Sequence, residues 1–213
     1  MKTDRLIGML ATGVDLEHRG NPWRSLPLAI GFGVICSTLL MLKLIPLNPD
    51  LDKILLVPGF LQKLGFSAAI AGISLMIVNR LSRPGAALGS LWQALSLPVV
   101  AMWLLAAAVL MTADPDARAT LFFGKTWKVC PFLIAMLSAP VFVGTFWAMR
   151  ELAPVRLRLA GAGAGLFAGA TGAVVYCFHC PELDAPFIAF WYFLGMLIPA
   201  FIGALLGPRL LRW

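Results

Sequence analysis

Leu91-Trp-Gln-Ala-Leu-Ser-Leu-Pro-Val-Val-Ala-Met-Trp-Leu-Leu-Ala-Ala-Ala-Val-Leu-Met-Thr112 runs without an Asp, Glu, Lys or Arg. A helix of about 20 mostly apolar residues crosses the hydrocarbon core of a bilayer, so this stretch predicts a membrane span. The rest of the chain repeats the pattern. Apolar runs at about 25–44, 64–79, 129–149, 159–177 and 187–206 bring the expected spans to six. The second run is short, and Pro58-Gly-Phe-Leu61 can extend it. Pro98, Pro140 and Pro199 fall inside spans, which lipid tolerates because neighbouring helices satisfy the freed carbonyls. The expected fold is an all-α membrane protein. A six-helix transmembrane bundle occupies 25–213, and a short cytoplasmic N-terminal helix lies within 1–24.

Composition agrees. Hydrophobic residues make up 60% of the chain and charged ones 13%, with mean hydropathy +0.88. Soluble domains are about 45–50% apolar and about 25% charged, and no stretch reads as a second, soluble domain. The net charge of +7 marks topology rather than direct nucleic-acid binding, because Lys and Arg concentrate on the cytoplasmic side of a membrane protein. With the N-terminus inside, eleven of the 17 basic residues fall on the inner face and six on the outer. Both termini are therefore expected in the cytoplasm. The 177–186 loop carries no Lys or Arg and should face outward. The first apolar run begins near Leu26 without a small-residue cleavage site, so no removable signal peptide is expected.

This topology gathers the thiols. Cys130 opens the fourth span, while Cys177 and Cys180 close the fifth, so three of the four cysteines share the outer end. Cys36 lies roughly mid-bilayer. Cys177-Phe-His179-Cys180-Pro-Glu182 crowds two thiols, an imidazole and a carboxylate into six positions. An outward face in bacteria is oxidising, and there Cys130 and Cys180 can form a disulfide. Thiolate, imidazole and carboxylate can equally bind a soft cation. Cys177-x-x-Cys180 also resembles a redox dithiol without its usual βαβ setting, and a free cysteine is often only a small buried hydrophobe. No nucleophile elbow, phosphate loop or paired-histidine haem arrangement is present, and no enzyme is expected. The bare residues leave open a thiol–disulfide oxidoreductase, a small-molecule transporter and a structural membrane subunit. Lys43, near a helix end, can snorkel, and Lys63 reads as a cation at the interface.

Two other patterns stand out. Gly161-xxx-Gly165-xxx-Gly169, with Gly203-xxx-Gly207 in the sixth span, lines up small residues that let helix backbones approach closely. Ahead of the first span, Leu6, Ile7, Leu10 and Val14 fall at helical spacing, with Thr3 or Asp4 as cap. A helix that short is marginal in water, so it lies on lipid or folds on a partner. Asp4, Asp15 and Glu17 disfavour an anionic leaflet.

Trp147-xx-Arg150-xxx-Pro154, Ala160-Gly161, Gly165, Gly169, Tyr176, His179-Cys180-Pro-Glu182, Trp191-Tyr192, Gly195 and Gly207-Pro-Arg-Leu-Leu-Arg-Trp213 resemble the NrsF family. The resemblance runs from Lys2-Thr-Asp4 to the last residue. It implies a six-span anti-sigma factor of the bacterial inner membrane that holds down an extracytoplasmic-function (ECF) sigma factor. It further implies that the cytoplasmic N-terminal segment binds the sigma factor; Leu6, Ile7, Leu10 and Val14 would then enter the partner's groove, with Asp4 and Arg5 setting register. Finally, it implies an outer cysteine pair, by position Cys130 and Cys180, that responds to heavy metals. His179, Glu182 and Cys177 are weaker candidates for that site. No resident cofactor is implied, only transient binding of a soft heavy-metal ion.

Overall fold

The computed structural model describes residues 22–45, 47–49, 51–83, 85–152 and 154–212. Six helices are long and apolar enough to cross a membrane, and no strand occurs among the described residues. In chain order the elements are α1 (Pro22–Leu44), α2 (Leu51–Ile54), α3 (Pro58–Leu81), α4 (Leu91–Thr112), α5 (Pro115–Phe123), α6 (Cys130–Arg150), α7 (Leu157–Tyr176) and α8 (Ala185–Phe187). A π-helical turn, Ile188–Tyr192, then joins α8 to α9 (Phe193–Leu210). The proposed sigma-binding residues Asp4, Arg5, Leu6, Ile7, Leu10 and Val14 lie outside the described residues.

The second span takes up the expected extension and starts at Pro58, because proline in the first turn gives up an N–H that the helix would leave unbonded anyway. Lys63 therefore stands inside the helix and not at its edge. The fifth span ends at Tyr176, which leaves Cys177 in the following turn. The short α5, too short to cross a bilayer, joins the third and fourth spans.

The bundle is organised around α7, 78% of whose spanning window is buried. It packs on α9, α6 and α3. The glycine stripe explains the α7–α9 approach. A methyl group on Gly161 would run into the carbonyl oxygen of Gly203, and one on Gly165 into that of Pro199. Only hydrogen at Cα lets the two backbones lie that close. The helix α1 attaches to α6, where Ser37 Oγ donates to the carbonyl of Leu137 at 2.7 Å. On the periphery, α4 buries only 11% of its window and turns Leu97, Val100 and Leu104 outward, a surface that suits lipid.

The connections segregate by end. At one end, Asn48 N–H donates to Phe178 O (3.2 Å) and Lys125 N–H donates to the Glu182 carboxylate (2.7 Å). The 45–57, 113–129 and 177–184 connections thus converge there, as the alternation of six spans requires. At the other end, Leu26 and Pro27 of α1, Asn79, Ser82 and Arg83 around the end of α3, and Leu152 after α6 line a cavity of about 390 Å³.

Candidate functional site

The thiol end of the bundle contains one buried cluster. Cys130, Cys177 and Cys180 are each fully buried and belong to the same core, with Tyr176, Tyr192, Phe60 and Phe187 around them. Three separate local structures build the cluster. Pro131 sits in the first turn of α6 and places Cys130 at its head. Helix α7 ends at Tyr176, and the turn that follows closes with His179 N–H to Tyr176 O (3.0 Å) and Cys180 N–H to Tyr176 O (3.1 Å). That turn folds Cys177 and Cys180 back under the bundle instead of out to solvent. The π turn at 188–192 inserts an extra residue into the last span, and such turns recur at functional sites. It sends Tyr192 into the thiol cluster and Trp191 to the edge of that core, where the indole N–H donates to Phe122 O at 2.9 Å.

The Cys130 and Cys180 thiols are in hydrogen-bonding contact. That contact, with a further contribution from the Lys63 ammonium, outweighs burial and holds the Cys180 thiol down at about 6. Cys177 behaves in the opposite way, because burial pushes its thiol up to about 12. Thr126 Oγ1 lies 4.0 Å from Cys180 Sγ. The hydroxyls of Tyr176 and Tyr192 are buried beside the thiols and find no other hydrogen-bond partner.

The backbone of the Cys180–Glu182 loop is held by Lys63. Its Nζ donates to Cys180 O at 2.7 Å and to Glu182 O at 3.1 Å, and Phe60 lies under it at 5.4 Å. Lys63 is fully buried, so its charge meets the loop carbonyls and not open solvent. The signal was present in the sequence as a lone charge in an apolar run, but hydropathy could not say what it faced. Glu182 is half-buried and accepts the Lys125 amide, so the loop ties it down and does not aim it at the sulfurs. The His179 ring lies beside that of Tyr176, tilted by 47° with centroids 5.5 Å apart. Cys36 is half-buried in α1 and lies outside the cluster. Among the described residues, no three His, Cys, Asp or Glu side chains stand together as a metal-holding group. The arrangement is a thiol pair with a third thiol beside it.

A family model described as negative regulator of sigma F matches residues 10–213. The chain belongs to the NrsF family. It is 55% identical to the probable anti-sigma-F factor NrsF of Azospira oryzae, with both chains covered completely. It is 36% identical to the anti-sigma-F factor NrsF of Caulobacter vibrioides, again over the whole of both chains. No solved structure matches the chain at a significant level. Membership in the NrsF family places the chain among regulatory proteins, and the likeness extends over the entire bundle, thiol end included.

Proposed function

We propose that this protein is a membrane-embedded anti-sigma factor of the bacterial inner membrane. It sequesters an ECF sigma factor through its cytoplasmic N-terminal segment and lets it go when a soft heavy-metal ion or an oxidant engages Cys130 and Cys180 on the outer face. The full-length likeness to two proteins named anti-sigma-F factor carries the regulatory part. The contact between the Cys130 and Cys180 thiols supports the sensory part. A pair of touching thiols suits a two-coordinate soft ion, or oxidation to a disulfide in which two protons and two electrons leave for the oxidant. It does not suit a hard cation, which requires a shell of oxygens.

Transmission follows from connectivity. Cys130 heads α6 and Cys180 follows α7. The segment joining the far ends of those two helices, 150–158, includes Leu152, which shares a cavity wall with Leu26 and Pro27 at the start of α1. Bridging the sulfurs shifts α6 against α7, and the shift reaches the root of the N-terminal segment. A differential affinity of about 2 kcal/mol between two states of the bundle changes sigma occupancy roughly 30-fold. The test is copurification from native membranes. The whole chain should bring down an ECF sigma factor, and the protein lacking residues 1–20 should insert normally yet bring down none. Retention of the sigma factor by the truncated protein overturns the reading.

A further inference from the structure

Lys63 is the one charged side chain fully buried among the described residues. An ammonium inside a membrane bundle is costly and persists where it is partnered and used. Its hydrogen bonds go to the carbonyls of Cys180 and Glu182, while the Glu182 carboxylate turns away to the Lys125 amide. Gly59, four residues earlier on α3, lies so close to the loop that a methyl group there would stand 2.9 Å from Leu183 O. The first two turns of α3 are thus fastened to the loop that carries the Cys180 thiol. The far end of the same helix, Asn79 with Ser82 and Arg83 beyond it, walls the cavity against α1. At 1.5 Å per residue, Lys63 and Asn79 are about 24 Å apart along a continuous helix.

We propose that Lys63 is the positioning residue of the thiol pair and the link between that pair and α3. By holding the carbonyls on either side of Pro181, it sets the Cys180 sulfur against Cys130. When the loop moves, it obliges α3 to move, and α3 carries the displacement to the cavity beside α1. This rests on the reading of Cys130 and Cys180 as the sensing pair, and it adds a route through the bundle distinct from the 150–158 segment.

The experiment uses the full chain in native membrane vesicles, with Cys36→Ser in every sample. Diamide oxidises the pair: one S–S bond forms, and the reagent takes up the two electrons and two protons lost. The Cys130–Cys180 disulfide is quantified by mass spectrometry of unreduced peptides in Lys63→Met, Lys63→Gln and Lys63→Arg proteins. Lys63→Met should slow disulfide formation at least fivefold, and Lys63→Arg, which keeps a charged donor, should come within twofold of Lys63. In a second readout, maleimide labelling of Asn79→Cys should change at least threefold on diamide treatment with Lys63 present and stay constant with Lys63→Met. Where Lys63→Met does not accumulate in the membrane, Lys63→Gln is read in its place. Wild-type kinetics in the uncharged variants overturn the proposal, as does equal slowing in the Met and Arg variants or labelling at position 79 that ignores Lys63. If these results come out as expected while a sigma-dependent reporter ignores diamide, the clamp stands and the sensing role falls.

Discussion

Lys63 Nζ and the carbonyl oxygen of Cys180 stand 2.7 Å apart, although 117 residues separate them in sequence. The contact brings the second span to the turn after the fifth, and Cys180 in turn touches Cys130 at the head of the fourth. Three spans therefore meet at one residue, Cys180. A perturbation there has a mechanical path into most of the bundle.

The thiol pair should respond as a unit. Cys130→Ser and Cys180→Ser should each reduce metal- or oxidant-triggered release of the sigma factor at least tenfold, measured with a sigma-dependent transcription reporter in cells. Cys36→Ser, on a helix outside the cluster, should stay within twofold of the parent chain. An undiminished response in both Cys130→Ser and Cys180→Ser removes the pair from the mechanism.

Thiol chemistry should depend on pH with opposite character at positions 180 and 177. A thiol held at about 6 is mostly thiolate at neutral pH and loses reactivity as pH falls through 6, because the thiolate is the nucleophile. One raised to about 12 remains protonated across the whole working range. Mapping modification by a small methanethiosulfonate between pH 5 and pH 9 should show a half-maximal rate near pH 6 for Cys180 and slow, still-rising labelling for Cys177. Parallel profiles for the two residues contradict the assignment.

The glycine stripe should be intolerant where backbones touch and tolerant elsewhere. Gly161→Ala puts a methyl group into the Gly203 carbonyl and should destabilise the bundle by about 1–3 kcal/mol, the usual cost of overpacking. Gly72→Ala in α3 meets nothing within 4 Å and should be neutral or stabilising by up to about 1 kcal/mol through helix propensity. Thermal unfolding in detergent separates the two, and similar effects from both substitutions would argue against the packing shown.

Gly124 should control the loop. It has φ +54°, and a Cβ there would lie 2.8 Å from the Glu182 carboxylate. That backbone region is nearly exclusive to glycine and costs other residues about 1–3 kcal/mol. Gly124→Ala should therefore free Glu182 from the Lys125 amide and raise the labelling rate of Cys180 severalfold at pH 7. Unchanged labelling with unchanged stability shows that the 113–129 connection does not brace the site.

The amino-acid sequence by itself determined that this is a membrane protein of six spans, that three thiols share one end, and that a stripe beginning at Gly161 packs against another helix. Those conclusions rest on hydropathy and on spacing along one helix, both local properties of consecutive residues. Only the tertiary structure decided that Lys63 is buried against the Cys180–Glu182 loop, and that Cys180 lies against Cys130 while Cys177 stays beside the pair. It also decided that a π turn brings Tyr192 to the sulfurs. Each of those facts depends on the rotation and depth of separate helices, which are set by close contacts such as Gly161 on Gly203. Hydropathy is blind to rotation about a helix whose faces are all apolar.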